Sequence, residues 1–251
     1  MRSINQSCHA VRRRIAAGDD IIKFFAGYRR HMMRSRQHPC IPSVLHSPKE
    51  LNPGYTASSQ EEINGTLPEA ALIHATVSTH CGTLECAVAP IKAGVEKLEH
   101  VCFTSDEILT RMEGSRIILV PTRAVAENHH AACFPWILKQ VKRAHDMGIR
   151  LACGGDTETY PRGDNVRELE PTIEAGIPVP GVLELCPVGG WEAGGGDLSG
   201  RRFSWIEQGL QTDIIALNHD PQHDINALRS VDFGTKYATA WKMNSRARGM
   251  H

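Results

Sequence analysis

The feature that most constrains the fold is a regular alternation of short apolar segments with longer segments of helical pattern. Segments of helical pattern, such as residues 84–94, separate the apolar ones. Strands that alternate with helices predict βαβ units and a parallel sheet. A chain of 251 residues is long enough to bury the core of such a fold. The predicted strands cover residues 19–27, 76–80, 95–101, 116–122 and 150–155.

The helical segments carry three further predictions. The helix over residues 59–75 contains Gly65 and Pro68, which should break or kink it. Another helix is expected to begin at Thr104, because Glu107 three residues later completes a capping box. A third helix is predicted over 127–148, and its first residues, ENHHAAC, are predicted to be solvated.

Two segments interrupt or follow the alternation. Residues 29–55 are rich in histidine and proline and are predicted to form a loop too long to be a simple connector. The tail after residue 186 is rich in glycine, but it has neither a GxGxxG nor a GK[ST] motif, so nucleotide binding is not expected. His219 and His223 are predicted to be turn residues rather than metal ligands.

Charge and cysteine content narrow the class of protein. Lys plus Arg and Asp plus Glu both number 28, so nothing in the overall charge predicts binding to nucleic acid or to an anionic membrane. No apolar run reaches the roughly 20 residues that span a bilayer. The eight cysteines form no CxxC pair, and several, such as Cys153, lie in apolar stretches, so we expect a reducing, cytoplasmic location. The Arg-rich first 18 residues also fit a mitochondrial transit peptide or an ordinary amphipathic helix.

Four predicted strands carry, at or near their carboxyl ends, a side chain able to bind a metal ion. Because all parallel strands end at one edge of the sheet, we expect these side chains to converge there. Each has an alternative interpretation: either histidine could be a core residue, the lysine could extend from an edge strand to solvent, and the aspartate could form a turn after two glycines. The four residues are Lys23, His80, His100 and Asp156.

The segments VSTHCGTLECAVAPIKAGVEKLEH, FTSDEILTRMEGSRIILVPT, AHDMGIRLACGGDTETYPRGDN and QTDIIALNHDPQHDINALRSVDF resemble, in this order, the second half of metal-dependent amidohydrolases. The resemblance is to the branch of imidazolonepropionase and Xaa-Pro dipeptidase. It implies a partial TIM-like (β/α) barrel of about the last five βα units over residues 1–200. Residues 201–251 would then supply the remaining strands of a small composite β-sandwich.

The resemblance also implies a site. In this family a His-x-His on the first strand, a carboxylated lysine on the fourth, histidines on the fifth and sixth and an aspartate on the eighth hold two divalent ions, usually zinc. By position these are Lys23, His80, His100 and Asp156. The chain contains no His-x-His, so we expect one ion, held mainly by the lysine and the two histidines. Relatives commonly carry histidine where this chain has Arg162, which puts a substrate contact there in doubt.

The residue types suit that chemistry. Neutral imidazoles bind zinc, and the ion makes hydroxide available from bound water near neutral pH. A lysine between Ile22 and Phe24 should be desolvated, which favours the neutral amine that takes up carbon dioxide. Asp156 is the predicted catalytic residue, acting as a base toward water and then as an acid toward the leaving amine.

The sequence therefore predicts a metal-dependent hydrolase of carbon–nitrogen bonds that acts on a small amide or dipeptide-like substrate. The alternative is a catalytically inactive half-barrel, or a metal-binding or interaction protein, because Met1 stands only one helix before the strand that matches the family's fourth. Five strands of an eight-stranded barrel would leave open edges, which predicts self-association.

Overall fold

A computed structural model describes residues 4–29, 54–82, 84–101, 104–157, 160–200, 202–211 and 213–249. Its strands are β1 (Ile21–Arg29), β2 (Gly54–Thr56), β3 (Thr76–Cys81), β4 (Lys97–Glu99), β5 (Ile118–Val120), β6 (Ile215–Leu217), β7 (Val231–Lys236), β8 (Thr239–Met243) and β9 (Arg246–Ala247). Its α-helices are α1 (Ile4–Ala16), α2 (Gln60–Ala71), α3 (Leu84–Ala93), α4 (Asp106–Met112), α5 (Arg123–His129), α6 (Phe134–Asp146), α7 (Val166–Glu174), α8 (Val179–Leu185) and α9 (Pro187–Ala193).

The main sheet has the strand order β2-β1-β3-β4-β5. Strands β1, β3, β4 and β5 are parallel, as the alternation of segments predicts, and a mixed α/β fold is confirmed. Strand β2 pairs antiparallel with the end of β1, so the end of the predicted loop is a short edge strand. The predicted strand at 150–155 shrinks to one bridge between Leu119 and Leu151, because Gly154 and Gly155 lead the chain into a turn.

The two faces of this sheet differ in chemistry. One face carries apolar side chains, including Ile22, Val77, Leu98 and Leu119, and packs against the helices to form the main core. Helix α1 packs on α2, α2 on α3 and α3 on α4. Residues paired across parallel strands project to the same side, so the pairings Lys23–Ser78–Lys97 and Phe25–His80–Glu99 define the opposite face. We call these two faces the apolar face and the polar face.

Helix boundaries correct three predictions. Helix α2 runs through both Gly65 and Pro68 without a break. A Cβ at Gly65 would lie 2.9 Å from the Ile4 side chain, so the glycine permits close packing of α1. Pro68 lies on the exposed side, where water can reach the carbonyl group that proline leaves without a donor. Helix α4 is capped by Ser105, whose hydroxyl accepts from the Ile108 N–H, and not by the predicted Thr104.

The third correction concerns the helix predicted over 127–148. It is divided into α5, a 3₁₀ turn at Ala131–Cys133 and α6. The segment ENHHAAC therefore ends one helix and leads to the next, and α6 begins at Phe134, with Pro135 in its first turn.

The tail forms a second sheet, antiparallel, with the order β6-β7-β8-β9. Arg229, in the 3₁₀ turn before β7, pairs with Glu170 of α7 and with Asp164, which connects this sheet to the helical layer. The division at residue 200 and the partial-barrel form stay predictions. No α-helix in the described ranges is both long and apolar enough to cross a membrane.

Candidate active site

The carboxyl ends of three neighbouring chain segments share an unusual backbone conformation. His100 follows β4 with φ of 61°, Thr122 follows β5 with φ of 52°, and Asp156 follows the Leu151 bridge with φ of 50°. A residue other than glycine held in the left-handed region costs about 1–3 kcal/mol, and such residues cluster at functional sites. Three left-handed residues therefore stand at the edge of the sheet at which the sequence predicts a site, although others, such as His74 before β3, lie elsewhere.

His80 and His100 lie side by side at this edge. Their ring centroids are 4.5 Å apart, and the Phe25 ring lies 4.8 Å from that of His80. Burial, followed by the nearby positive charge of His100 and Lys23, lowers the pKa of His80 to about 4. Burial and the charge of Lys23 also lower the pKa of His100. Both imidazoles are thus neutral at pH 7, which is the form that binds metal ions.

Lys23 differs from its prediction in two ways. It is the third residue of the nine-residue β1 and pairs with Ser78, so it lies one layer below His80 rather than at the strand end. Its side chain is 43% exposed, because Ile22 and Phe24 project to the opposite face and cannot desolvate it. The prediction of a desolvated lysine is therefore wrong.

The Lys23 ammonium group forms an ion pair with Glu99, a residue that the sequence analysis overlooked. Glu99 also accepts a hydrogen bond of 2.5 Å from the Ser78 hydroxyl. Burial acts to raise the pKa of Glu99, but the bonds from Lys23 and Ser78 and the charge of Lys97 outweigh it and hold that pKa below its ordinary value. Alternate residues of a strand lie on the same face. That alternation in β3 and β4 could have placed Ser78, Lys97 and Glu99 on the face of His80.

Asp156 is exposed at the same edge, and its carboxylate acts to raise the pKa of both histidines. The two glycines before it pack closely against the fold. A Cβ at Gly154 would lie 2.7 Å from the Val120 side chain, and one at Gly155 would lie 1.6 Å from the Tyr160 hydroxyl. Asp156 is thus held in a turn, and that turn presents its carboxylate toward the histidine pair, so the two interpretations of this residue are compatible.

The sheet therefore brings His80, His100 and Asp156 together at one edge, and Lys23, one layer below, is near enough for its charge to affect both histidines. Within the described ranges, no three His, Cys, Asp or Glu side chains are grouped so that they could hold a metal ion. The donor set fits a divalent ion only when Lys23 supplies the third ligand, since two neutral imidazoles and a lysine carbamate form a suitable set. Conversion of Lys23 to a carbamate would also require its ion pair with Glu99 to break.

Cys153 corrects another prediction. Instead of behaving as a free apolar thiol, it forms a disulfide with Cys186, across a Cα–Cα distance of 4.7 Å. The partner is close because α9 begins directly after Cys186 and passes the backbone of Leu151, where a Cβ at Gly189 would lie 2.2 Å from the Leu151 carbonyl oxygen.

Comparison with known proteins identifies relatives of the chain. It is 28% identical over 199 residues to ochratoxinase from Aspergillus niger, an alignment that covers 72% of this chain and 40% of the relative. The crystal structure of that ochratoxinase matches with a TM-score of 0.78 at 25% identity, over 97% of this chain and 55% of the other. A Xaa-Pro dipeptidase crystallised with methionine in its active site matches with a TM-score of 0.78 at 24% identity, over 96% and 59% of the two chains.

No protein-family model matches the chain. The similarity to ochratoxinase, together with the fold shared with the dipeptidase, confirms the resemblance to the amidohydrolase superfamily. The chain spans about two fifths of the length of the curated relatives that it matches.

Proposed function

We propose that this chain takes part in the hydrolysis of amide or related carbon–nitrogen bonds in small molecules, including N-acyl amino acids and Xaa-Pro dipeptides. The observation that carries the proposal is the convergence of two neutral imidazoles and an exposed carboxylate, from His80, His100 and Asp156, at one strained sheet edge. The similarity to ochratoxinase supports the same class of reaction.

Lys23, His80 and His100 would hold one divalent ion, with zinc as the expected metal. Such an ion would supply a water molecule of lowered pKa and a Lewis acid at this position. Asp156 is the proposed catalytic residue, since its exposed carboxylate can accept a proton from water and return it to the leaving nitrogen. The tightly packed glycines before it, and its left-handed backbone, keep this carboxylate in one place.

A non-catalytic role is the second candidate. The ion pair between Lys23 and Glu99 favours it, because a lysine side chain engaged by a carboxylate is not available to bind a metal ion. Self-association would suit either role. The segment of β2 covers the outer side of β1 from Phe25 to Arg29, and among the described residues the first part of β1 has no strand beside it on that side. Sedimentation velocity of the purified chain should accordingly detect oligomers at micromolar concentration.

Metal analysis and hydrolysis assays test the proposal. The chain, supplied with zinc and bicarbonate, should bind about one equivalent of metal and hydrolyse N-acyl amino acids or Xaa-Pro dipeptides. The variant Asp156→Asn keeps the shape of the turn but removes the base, so the rate should fall by about 10²–10⁴-fold while the melting temperature changes little. His100→Ala should lose the metal.

His223→Ala is the matched control, because it removes an exposed imidazole from the tail and should retain both metal and activity. Metal retained by the His100→Ala variant, or a rate unaffected by Asp156→Asn, would count against the proposed site.

A further inference from the structure

Strand β5 lies between the segments that carry His100 and Asp156. On one side, the Val120 carbonyl group accepts the His100 N–H at 3.0 Å. On the other side, Leu119 bonds to both neighbours of Leu151. Its N–H donates to the Arg150 carbonyl oxygen at 2.9 Å, and its carbonyl oxygen accepts from the Ala152 N–H at 3.0 Å. The position of the end of β5 therefore sets the separation between these two predicted site residues.

A buried carboxylate fixes the turn that follows β5. The two Glu168 oxygens accept the backbone N–H groups of Arg123 and Ala124 at 2.9 and 2.8 Å. The same carboxylate pairs with the Arg123 guanidinium at 3.1 Å, and the two side chains are only 3% and 0% exposed. Helix α7, which carries Glu168, thus holds the beginning of α5 and the left-handed Thr122 before it.

The Arg123 guanidinium extends this contact to the segment before Asp156. Its Nη2 atom lies 3.3 Å from the Cys153 sulfur, three residues before the aspartate. Gly154, the next residue, packs against the Val120 side chain so closely that a Cβ would lie 2.7 Å from it. The end of β5 therefore contacts Gly154, and the first residue of α5 contacts Cys153.

This ion pair is poorly explained by stability alone. The Nε and Nη1 groups of Arg123 are buried and have no hydrogen-bond partner among the described residues. A buried charge pair with unsatisfied donors is often less stable than apolar side chains of similar volume. The place of this pair next to the predicted site therefore suggests a role in setting the position of the segments that it contacts.

We propose that Arg123 and Glu168 are positioning residues, which hold the end of β5 so that His100 and Asp156 keep the spacing that the site requires. The inference rests on the proposed function for the role of those two residues. Neither positioning residue is among the predicted metal ligands or is the predicted base. They act through the bonds from the backbone N–H groups of Arg123 and Ala124 to Glu168 and through the contact of Arg123 with Cys153.

Two neighbouring glutamates on α7 provide a matched test. Glu168→Gln places an amide NH₂ group against one of two backbone N–H donors, whereas Glu170→Gln weakens only the outer ion pair with Arg229. Cobalt binding, followed by visible absorption, and hydrogen exchange of the segments 97–101 and 150–157 are measured for each variant. Glu168→Gln should weaken cobalt binding by about 10–100-fold and speed exchange in both segments by about tenfold. Glu170→Gln should change neither.

A pair of glycine variants tests the same proposal without touching the ion pair. Gly154→Ala should push the segment before Asp156 away from Val120. It should therefore reproduce the loss of cobalt affinity and the faster hydrogen exchange in the segments 97–101 and 150–157. Gly190→Ala is its control, because a Cβ at Gly190, in helix α9, meets no atom within 4 Å.

The outcomes separate the two proposals. The positioning role is contradicted if Glu168→Gln speeds exchange uniformly through the whole chain and leaves cobalt affinity unchanged. It is also contradicted if Glu170→Gln causes the same local changes as Glu168→Gln. Either result would show that the pair only stabilises the fold. If Glu168→Gln does not fold, Gly154→Ala decides by the same criteria. If the unaltered chain binds no cobalt, the proposed function fails, and local exchange alone then decides whether Arg123 and Glu168 hold the two segments.

Discussion

The two faces of the main sheet are made by alternate residues of the same strands. One face forms the core, and the other carries most of the ionisable groups of the candidate site. On the apolar face, Leu98 is fully buried and contributes to the core between sheet and helices. On the polar face, its neighbours Lys97 and Glu99 project toward Ser78 and His80. Burial lowers the pKa of Lys97, although the charges of Glu99 and Glu96 act to raise it. A change of one residue in register would exchange the two environments.

Removal of a large side chain from the apolar face should have the largest effect on stability. Leu98→Ala leaves a cavity in a fully buried position and should lower the free energy of unfolding by about 2–5 kcal/mol. Urea denaturation followed by circular dichroism measures this loss. A loss below about 1 kcal/mol would mean that the helices are not firmly packed on this face, and the contrast between the faces would be lost.

Acid should destabilise the chain through the polar face. In the folded state the pKa of His80 is about 4, whereas an unfolded histidine titrates near ~6.5. Above both values neither state carries the proton, so His80 contributes no pH dependence there. As the pH falls from ~6.5 to about 4, only the unfolded state binds the proton, and the free energy of unfolding decreases.

Solvent screening reduces the size of this effect, because His80 is only partly buried. Denaturation of metal-free protein at a series of pH values measures it, and the imidazole proton resonances give the midpoint directly. His80→Gln should show a smaller decrease over the same interval. An NMR midpoint near 6.5 would place His80 in water rather than on a covered face.

The smallest effect is expected from an apolar residue on the polar face. Phe25 is 48% exposed, so Phe25→Ala should lower the free energy of unfolding by about 1 kcal/mol or less. Its ring lies beside His80, and the imidazole resonances of His80 should therefore shift in this variant. A loss as large as that of Leu98→Ala would show that a partner covers the polar face in solution.

The sequence predicts the parallel strands well, because apolar runs bounded by polar residues leave few alternatives. It predicts their lengths poorly: the ladder at β4 spans only Lys97–Glu99, although the apolar pattern covers 95–101.

Ser105 and Thr104 are both possible helix caps by type. The Thr104 hydroxyl bonds instead to the Val101 carbonyl oxygen three residues before it, and Ser105 caps the helix.

For the candidate site, positions followed from the resemblance but environments did not. The neighbours of Lys23 in sequence lie on the other face, and its partner Glu99 is 76 residues away, so a local pattern could not reveal their ion pair. The same holds for Arg123 and Glu168, which are 45 residues apart. Contacts of this range depend on the register of the strands and the docking of α7, and neither is encoded in a short motif.

The left-handed residues at the strand ends also decide which amino acids these positions can accept. Glycine would remove the backbone strain at any of these positions, and asparagine adopts the left-handed conformation readily. β-branched residues adopt it least readily. Asp156 and His100 are residue types that this region accepts more readily than most, but the β-branched Thr122 is not. In a library of variants, replacement of Thr122 by glycine or asparagine is thus the change most expected to relieve backbone strain without loss of a site residue. At positions 100 and 156 the same replacement would remove the predicted functional group.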